Sequence, residues 1–78
     1  MTTNPPVQCI YVYLLNEGVD VWRPVSATLN QDGTYTILEN DYHGPETEDW
    51  EFLPGTRVIC KYREFPKARV LVAIQVAP

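Results

Sequence analysis

Apolar and polar positions alternate with a period of two along most of this chain, and no stretch repeats every 3.6 residues. The first apolar run, residues 7–15, reads VQCIYVYLL; it is rich in β-branched and aromatic residues and contains no breaker. Its two faces are Val7, Cys9, Tyr11, Tyr13 and Leu15 against Gln8, Ile10, Val12 and Leu14. Ile10, Val12 and Leu14 form the expected core side, while the tyrosines can cover a second surface with their hydroxyls in water. Asn16-Glu17-Gly18 reads as a short turn. Residues 19–29 then read as a long strand in which Val19, Val21, Val25, Ala27 and Leu29 keep a two-residue spacing. Arg23-Pro24 interrupts that spacing. Proline has no N–H to give to a ladder, so the strand should be bent, bulged or at an edge there.

Asn30-Gln31-Asp32-Gly33 is the strongest turn signal and predicts a tight hairpin into residues 34–39, with Tyr35 and Ile37 inward. Residues 40–49 form a polar loop containing His43-Gly44-Pro45. Trp50 and Phe52 alternate with Glu51 and Leu53, which predicts a short core strand before a type II turn at Pro54-Gly55. Along residues 56–64, Val58, Cys60 and Tyr62 point one way and Arg57, Lys61 and Arg63 the other. After a turn at Phe65-Pro66-Lys67-Ala68, the last strand, residues 69–76, should bury Val70, Val72, Ile74 and Val76. The expected core therefore joins Val58, Cys60, Val70, Val72 and Ile74 to Trp50 and Phe52.

At 78 residues the chain allows one domain: a flexible leader over residues 1–6, ending in Pro5-Pro6, and a folded unit over residues 7–78. Seven prolines and four glycines interrupt it too often for long helices. Five to six short antiparallel strands leave a small closed barrel, an open meander or an oligonucleotide-binding barrel. The all-β, SH3-like barrel fits best, because the second strand bends and the last can pair back near the first. An oligonucleotide-binding barrel usually places a helix between strands three and four, and the loop here is too polar and short to supply one. The apolar run at residues 7–15 falls well short of the ~20 residues a membrane helix needs. No basic residue precedes it and no small-residue cleavage site follows. The expectation is a cytoplasmic protein with neither signal peptide nor membrane segment.

Charge changes the picture. The net charge is −4, but Asp32, Glu39, Asp41, Glu46, Glu48, Asp49 and Glu51 all fall in a middle segment without Lys or Arg. Five of the six basic residues follow as Arg57, Lys61, Arg63, Lys67 and Arg69. In a small barrel the two blocks can neutralise each other across a ladder. Otherwise the acidic loop could recruit a basic partner, or the basic strip an anion. The two cysteines, Cys9 and Cys60, are too few for a disulfide scaffold. In a reducing compartment they are expected to be unbridged and buried.

Asp20-Val21-Trp22-Arg23-Pro24-Val25, together with Trp50-Glu51-Phe52-Leu53-Pro54-Gly55-Thr56-Arg57-Val58-Ile59-Cys60, resembles a group of short uncharacterised bacterial proteins. The resemblance implies a bacterial origin and an SH3-like barrel. It implies no activity.

The residues argue against catalysis. His43 is the single histidine and Ser26 the single serine, and both cysteines alternate into apolar surroundings, which suppresses thiol reactivity. The carboxylates Glu46, Glu48, Asp49 and Glu51 lie in a loop without the burial that would split their pKa values. No C-x-x-C or histidine pair suggests a metal, and no cofactor is expected. Nucleic-acid binding would use Arg57, Lys61 and Arg63 with exposed aromatic rings, but a pI of about 4.7 opposes it. The leading expectation is a non-catalytic module that binds another protein or itself. Trp22, opposite in direction to Val21 and beside Arg23 and Pro24, would form an aromatic shelf of the kind that holds extended peptides. Tyr42 completes the candidate set: Trp22, Arg23, Pro24, Tyr42, Arg57, Lys61 and Arg63.

Overall fold

The structure is a computed structural model that describes residues 6–40 and 42–78. The expected leader, except Pro6, lies outside the described residues, as does Asp41 of the acidic block. Five strands, β1 (Val7–Tyr13), β2 (Trp22–Leu29), β3 (Tyr35–Ile37), β4 (Arg57–Phe65) and β5 (Ala68–Val76), close into a barrel in chain order. The fold is all-β and consistent with a small SH3-like barrel. It differs from the all-antiparallel expectation in one pair: β1 and β5 run parallel, in register at Tyr11 and Val72. With an odd number of strands each reversing the last, the first and fifth must point the same way. No described helix is long and apolar enough to cross a membrane.

The alternation along β1 holds as read. Ile10, Val12 and Leu14 are buried with Val25, Ala27, Ile37 and Val58 in one cluster, and Tyr35 packs against it. The second strand is shorter than its spacing suggests. It starts at Trp22, leaving Val21 partly packed on the core and Val19 71% exposed in the preceding loop. Pro24 sits within β2, and the hydrogen bonds explain why it fits. Leu14 N–H donates to the Val21 carbonyl at 2.9 Å, and Leu29 N–H to the Pro6 carbonyl at 3.0 Å. Even-numbered β1 residues therefore form the bonded pairs, and Tyr11 opposite Pro24 is a non-bonded pair. The missing N–H faces away from β1, on a side that β3 does not reach, because β3 pairs only with Ala27, Thr28 and Leu29.

The predicted turns at Gly33 and Gly55 form. Gly33 has φ of +87° and its N–H donates to the Asn30 carbonyl at 3.1 Å, while Asn30 N–H donates to Thr34 at 2.8 Å. Gly55 has φ of +88°, and Thr56 N–H donates to the Leu53 carbonyl at 3.1 Å. Both conformations favour glycine, which has no Cβ to clash.

Two expectations are corrected. Trp50 and Phe52 are buried, at 2% and 9% exposure, but they do not form a strand. Leu14 and Trp50 make an isolated bridge, and Glu51 N–H reaches the Tyr13 carbonyl at 2.9 Å. The segment folds over the end of β1 and plugs the barrel. The inner face of β5 is also different. Leu71 and Ala73 pack with the core, whereas Ile74 and Val76 are 40% and 58% exposed. Val72 is buried outside the core cluster, and Val70 is half-buried. The cause is the register against β4. Val70 lies opposite Arg63 and Val72 opposite Lys61, and directly paired residues point to the same side of a sheet. The valines therefore share the outer face with the charges. The register slips between Ile59, opposite Gln75, and Cys60, opposite Ala73, so Ile74 becomes the unpaired residue of a bulge.

Replacing Ile10 by Ala should destabilise the protein by about 2–5 kcal/mol, and the same change at Ile74 by less than about 1 kcal/mol. Denaturant unfolding of both variants checks this; equal losses would contradict the bulged register.

Candidate functional site

The inward set on β1 and β2 obliges their other residues to build a second surface. Tyr13 stands opposite Trp22 across the ladder, and their rings meet edge to face at 5.1 Å and 68°. The hairpin of β4 and β5 reaches back to this surface through its tip. Phe65, opposite Ala68, approaches Trp22 at 6.0 Å and 69°. Between them lies an open groove of about 500 Å³, walled by Tyr11 and Trp22 on one side and by Phe65, Ala68 and Val70 on the other. Pro66 and Lys67 of the turn form its end. The Arg63 guanidinium lies 5.3 Å from the ring centroids of both Trp22 and Phe65, in cation–π range of each. The Tyr13 hydroxyl donates to the Asp20 carboxylate at 2.8 Å. That bond, then desolvation and the charges of Asp20 and Glu51, raises the phenol above its ordinary value.

The expected site residues do not all gather here. Trp22 is in the groove, half-buried, and Pro24 is exposed on the same outward parity. Arg23 turns the other way. Its Nε lies 3.4 Å from Glu48 Oε1, at ion-pair distance but without hydrogen-bond geometry. The same Glu48 oxygen accepts a 3.0 Å hydrogen bond from Trp50 Nε1. Arg23 therefore helps tie the acidic loop to the barrel rather than extend the Trp22 shelf. Tyr42 is likewise turned to packing: it meets Trp50 edge to face at 5.0 Å and 72° and lies against the core.

The basic strip is divided. Arg57, Lys61 and Arg63 share a face of β4 by alternation and all are exposed. Arg57 Nη1 is 4.0 Å from Asp32, and its Nη2 donates to the Pro78 carbonyl at 2.8 Å. The carboxylate near Arg57 thus comes from the β2–β3 turn. Asp32 is held below its ordinary value by the Thr34 hydroxyl first, then the Thr34 N–H, with Arg57 adding to them. Among the described residues, no carboxylate stands at ion-pair distance from Lys61, Arg63, Lys67 or Arg69.

Phe65, Ala68 and Val70 are groove residues that the sequence pattern did not select. The signal was available in the short turn at Pro66-Lys67, which forces Phe65 and Ala68 onto one face with Val70. The thiols also depart from expectation. Both are free, but Cys9 is exposed, because it shares the outward parity of Tyr11, and Cys60 is only half-buried. Burial pushes the Cys60 thiol up to about 11. Among the described residues, no cluster of three or more His, Cys, Asp or Glu side chains could hold a metal ion.

Two outcomes follow from these contacts. Glu48→Ala should lower stability by about 1–3 kcal/mol, because it strips a partner from both Trp50 Nε1 and Arg23. Glu48→Gln should recover much of that loss, since its amide oxygen still accepts from the indole and only the Arg23 ion pair is lost; thermal melts of the two variants distinguish these. At pH 8, iodoacetamide should modify Cys9 well before Cys60, as read by peptide mass mapping. Because the folded Cys60 value lies above its ordinary 9.0, the stability it contributes is fully present below pH 9 and lost as pH rises toward 11.

No protein-family model matches the chain, and no curated protein or solved structure matches it, so the reading of its function rests on these residues.

Proposed function

We propose that this protein is a non-catalytic interaction module of the bacterial cytoplasm that holds an extended segment of another protein across Trp22. The single observation that carries the reading is the aromatic groove itself. Tyr11, Trp22 and Phe65 offer flat apolar surfaces around a preformed cleft of about 500 Å³. Trp22 is braced edge to face by Tyr13 and by Phe65, and Arg63 caps Trp22 and Phe65. Little side-chain freedom is then left to lose on binding, which favours affinity from a small surface. An extended or polyproline-type peptide presents flat, regularly spaced side chains and suits such a groove. Lys67 at its end gives the groove a charge that can orient the peptide.

The reading leaves catalysis out on chemical grounds. His43 is exposed in its loop, and the raised thiol of Cys60 makes a poor nucleophile near neutral pH.

A nucleic-acid reading draws on one specific observation. Lys61, Arg63, Lys67 and Arg69 crowd one hairpin together with the rings of Tyr62, Phe65 and Trp22, and basic groups among aromatics can stack single-stranded bases. The acidic remainder of the chain, which brings the net charge to −4, opposes it.

Peptides selected from a random display library against the full protein test the first reading. Their affinity should fall by about 2 kcal/mol or more on Trp22→Ala, as for a central aromatic anchor. The Trp22 indole signal should shift as each peptide binds. Selection of peptides indifferent to Trp22 would sink the reading. Micromolar binding of single-stranded oligonucleotides that weakens steeply with salt would put the nucleic-acid reading first.

A further inference from the structure

β4 runs for nine residues, but β3 covers only its start, with Tyr35 opposite Val58 and Thr36 opposite Arg57. Beyond that point β4 pairs with β5 on one side, and among the described residues no strand runs along the other. Two backbone hydrogen bonds identify the groups left over. Ile37 N–H donates to the Thr56 carbonyl at 3.1 Å, toward β3, and Ala77 N–H donates to the Arg57 carbonyl at 2.8 Å, toward β5. Even-numbered β4 residues therefore turn their backbone polar groups to the β3 side and odd-numbered ones to the β5 side. The bulge adds its extra residue to β5 and leaves this parity intact to the hairpin tip. Cys60, Tyr62 and Glu64 thus present N–H and C=O groups along an open edge. Such an edge is a template for one more strand.

The side chains along the edge choose the occupant. Lys61 and Arg63 stand on its outer face, exposed and with no carboxylate at ion-pair distance among the described residues. On the other face Tyr62 is 62% exposed, with the Arg69 guanidinium 4.8 Å from its ring centroid. Glu64 is the one acidic residue of the hairpin. A second copy of the chain fits badly. In an antiparallel two-fold pairing centred on Tyr62, Lys61 would face Arg63, and centring on Lys61 or Arg63 would set that residue against itself. Like charges directly opposite each other disfavour pairing. The edge calls for negative charge at alternate positions.

We propose that the open edge of β4 accepts, by strand addition, an extended acidic segment of another protein. Carboxylates at alternate positions face Lys61 and Arg63, and the apolar side chains between them lie beside Tyr62. Main-chain hydrogen bonds to Cys60, Tyr62 and Glu64 supply the affinity, while the charges select partner and register. The edge groups of Cys60, Tyr62 and Glu64 do not line the Trp22 groove, but Arg63, which caps Trp22 and Phe65, is common to both surfaces, so the backbone amides of the edge distinguish the two.

The test uses the full chain, isotopically labelled, titrated at low salt with a capped octapeptide of alternating Glu and Val. Two further peptides serve as controls: alternating Lys and Val, and the Glu–Val peptide methylated on alternate backbone amides. The amide signals of Cys60, Tyr62 and Glu64 should shift and gain protection from hydrogen exchange. Those of Lys61, Arg63 and Phe65, already bonded to β5, should gain none. The methylated peptide should bind at least about tenfold more weakly, and the Lys61→Glu/Arg63→Glu double variant should lose about tenfold in affinity for the Glu–Val peptide. Equal binding of the Lys–Val peptide, shifts confined to Tyr11, Trp22 and Phe65, or no shift at all would overturn the proposal. So would a dimer in sedimentation with the same three amides protected before peptide is added. Oligodeoxythymidine that protects these amides and displaces the peptide would assign the edge to nucleic acid instead.

Discussion

Everything in this small barrel hangs on the inward rail of β1. Ile10 and Val12 are fully buried and Leu14 nearly so, and they lie between β2 on one side and β5 on the other. A chain of 78 residues can bury only a modest core, so each contact along the rail matters. β2 supplies Val25 and Ala27, β3 supplies Ile37, β4 supplies Val58, and the segment after the acidic loop brings in Trp50. Closure joins β1 to β5 in parallel at Tyr11 and Val72. That pairing is brief, and Trp50, bridged to Leu14, seals the end of the barrel next to it.

Once the rail faces inward, its alternate residues have to face out. Tyr11, Tyr13 and Trp22 therefore form a second surface, and the β4–β5 hairpin closes over part of it. The hairpin can reach because β4 is three times as long as β3, so its far half is held by β5 alone. The same overhang produces the groove on one side and the unpaired strand edge on the other. Val72, buried outside the core cluster, and half-buried Val70 form the apolar seam where hairpin and barrel meet.

Electrostatics follows the same division. Arg23 and Arg57, the two basic residues nearest the barrel body, have Glu48 and Asp32 as partners. The hairpin carries Lys61, Arg63, Lys67 and Arg69 beyond the reach of the acidic loop. Exposed ion pairs contribute only about 0–1 kcal/mol, so this separation costs little stability. It leaves an acidic body with a basic arm. The proposed acidic partner would meet charge of the opposite sign on this arm, and the aromatic rings beside it would supply the apolar contact that charge alone lacks.

The all-β class, the turns at Gly33 and Gly55 and the inward face of β1 were legible in the sequence alone, because each depends on neighbours along the chain, whereas the strand expected at Trp50–Leu53 did not form. Period-two alternation marks Ile10, Val12 and Leu14, and the positive φ at Gly33 and Gly55 is a local demand. The Trp22 half of the groove was legible for the same reason, since Trp22 must oppose Val21. Only the tertiary structure decided which face of β5 is buried, because valine at Val70 and Val72 makes the side that faces out look as apolar as the other. The register against β4, with its bulge at Ile74, selected Leu71 and Ala73 instead. Tertiary packing also drew Arg23 and Tyr42 away from the shelf toward Glu48 and Trp50, partners more than 20 and some 8 positions distant in the chain. Contacts of that kind leave no periodic trace in a sequence, so the groove's second wall and the open edge of β4 emerged only when the strands were assembled.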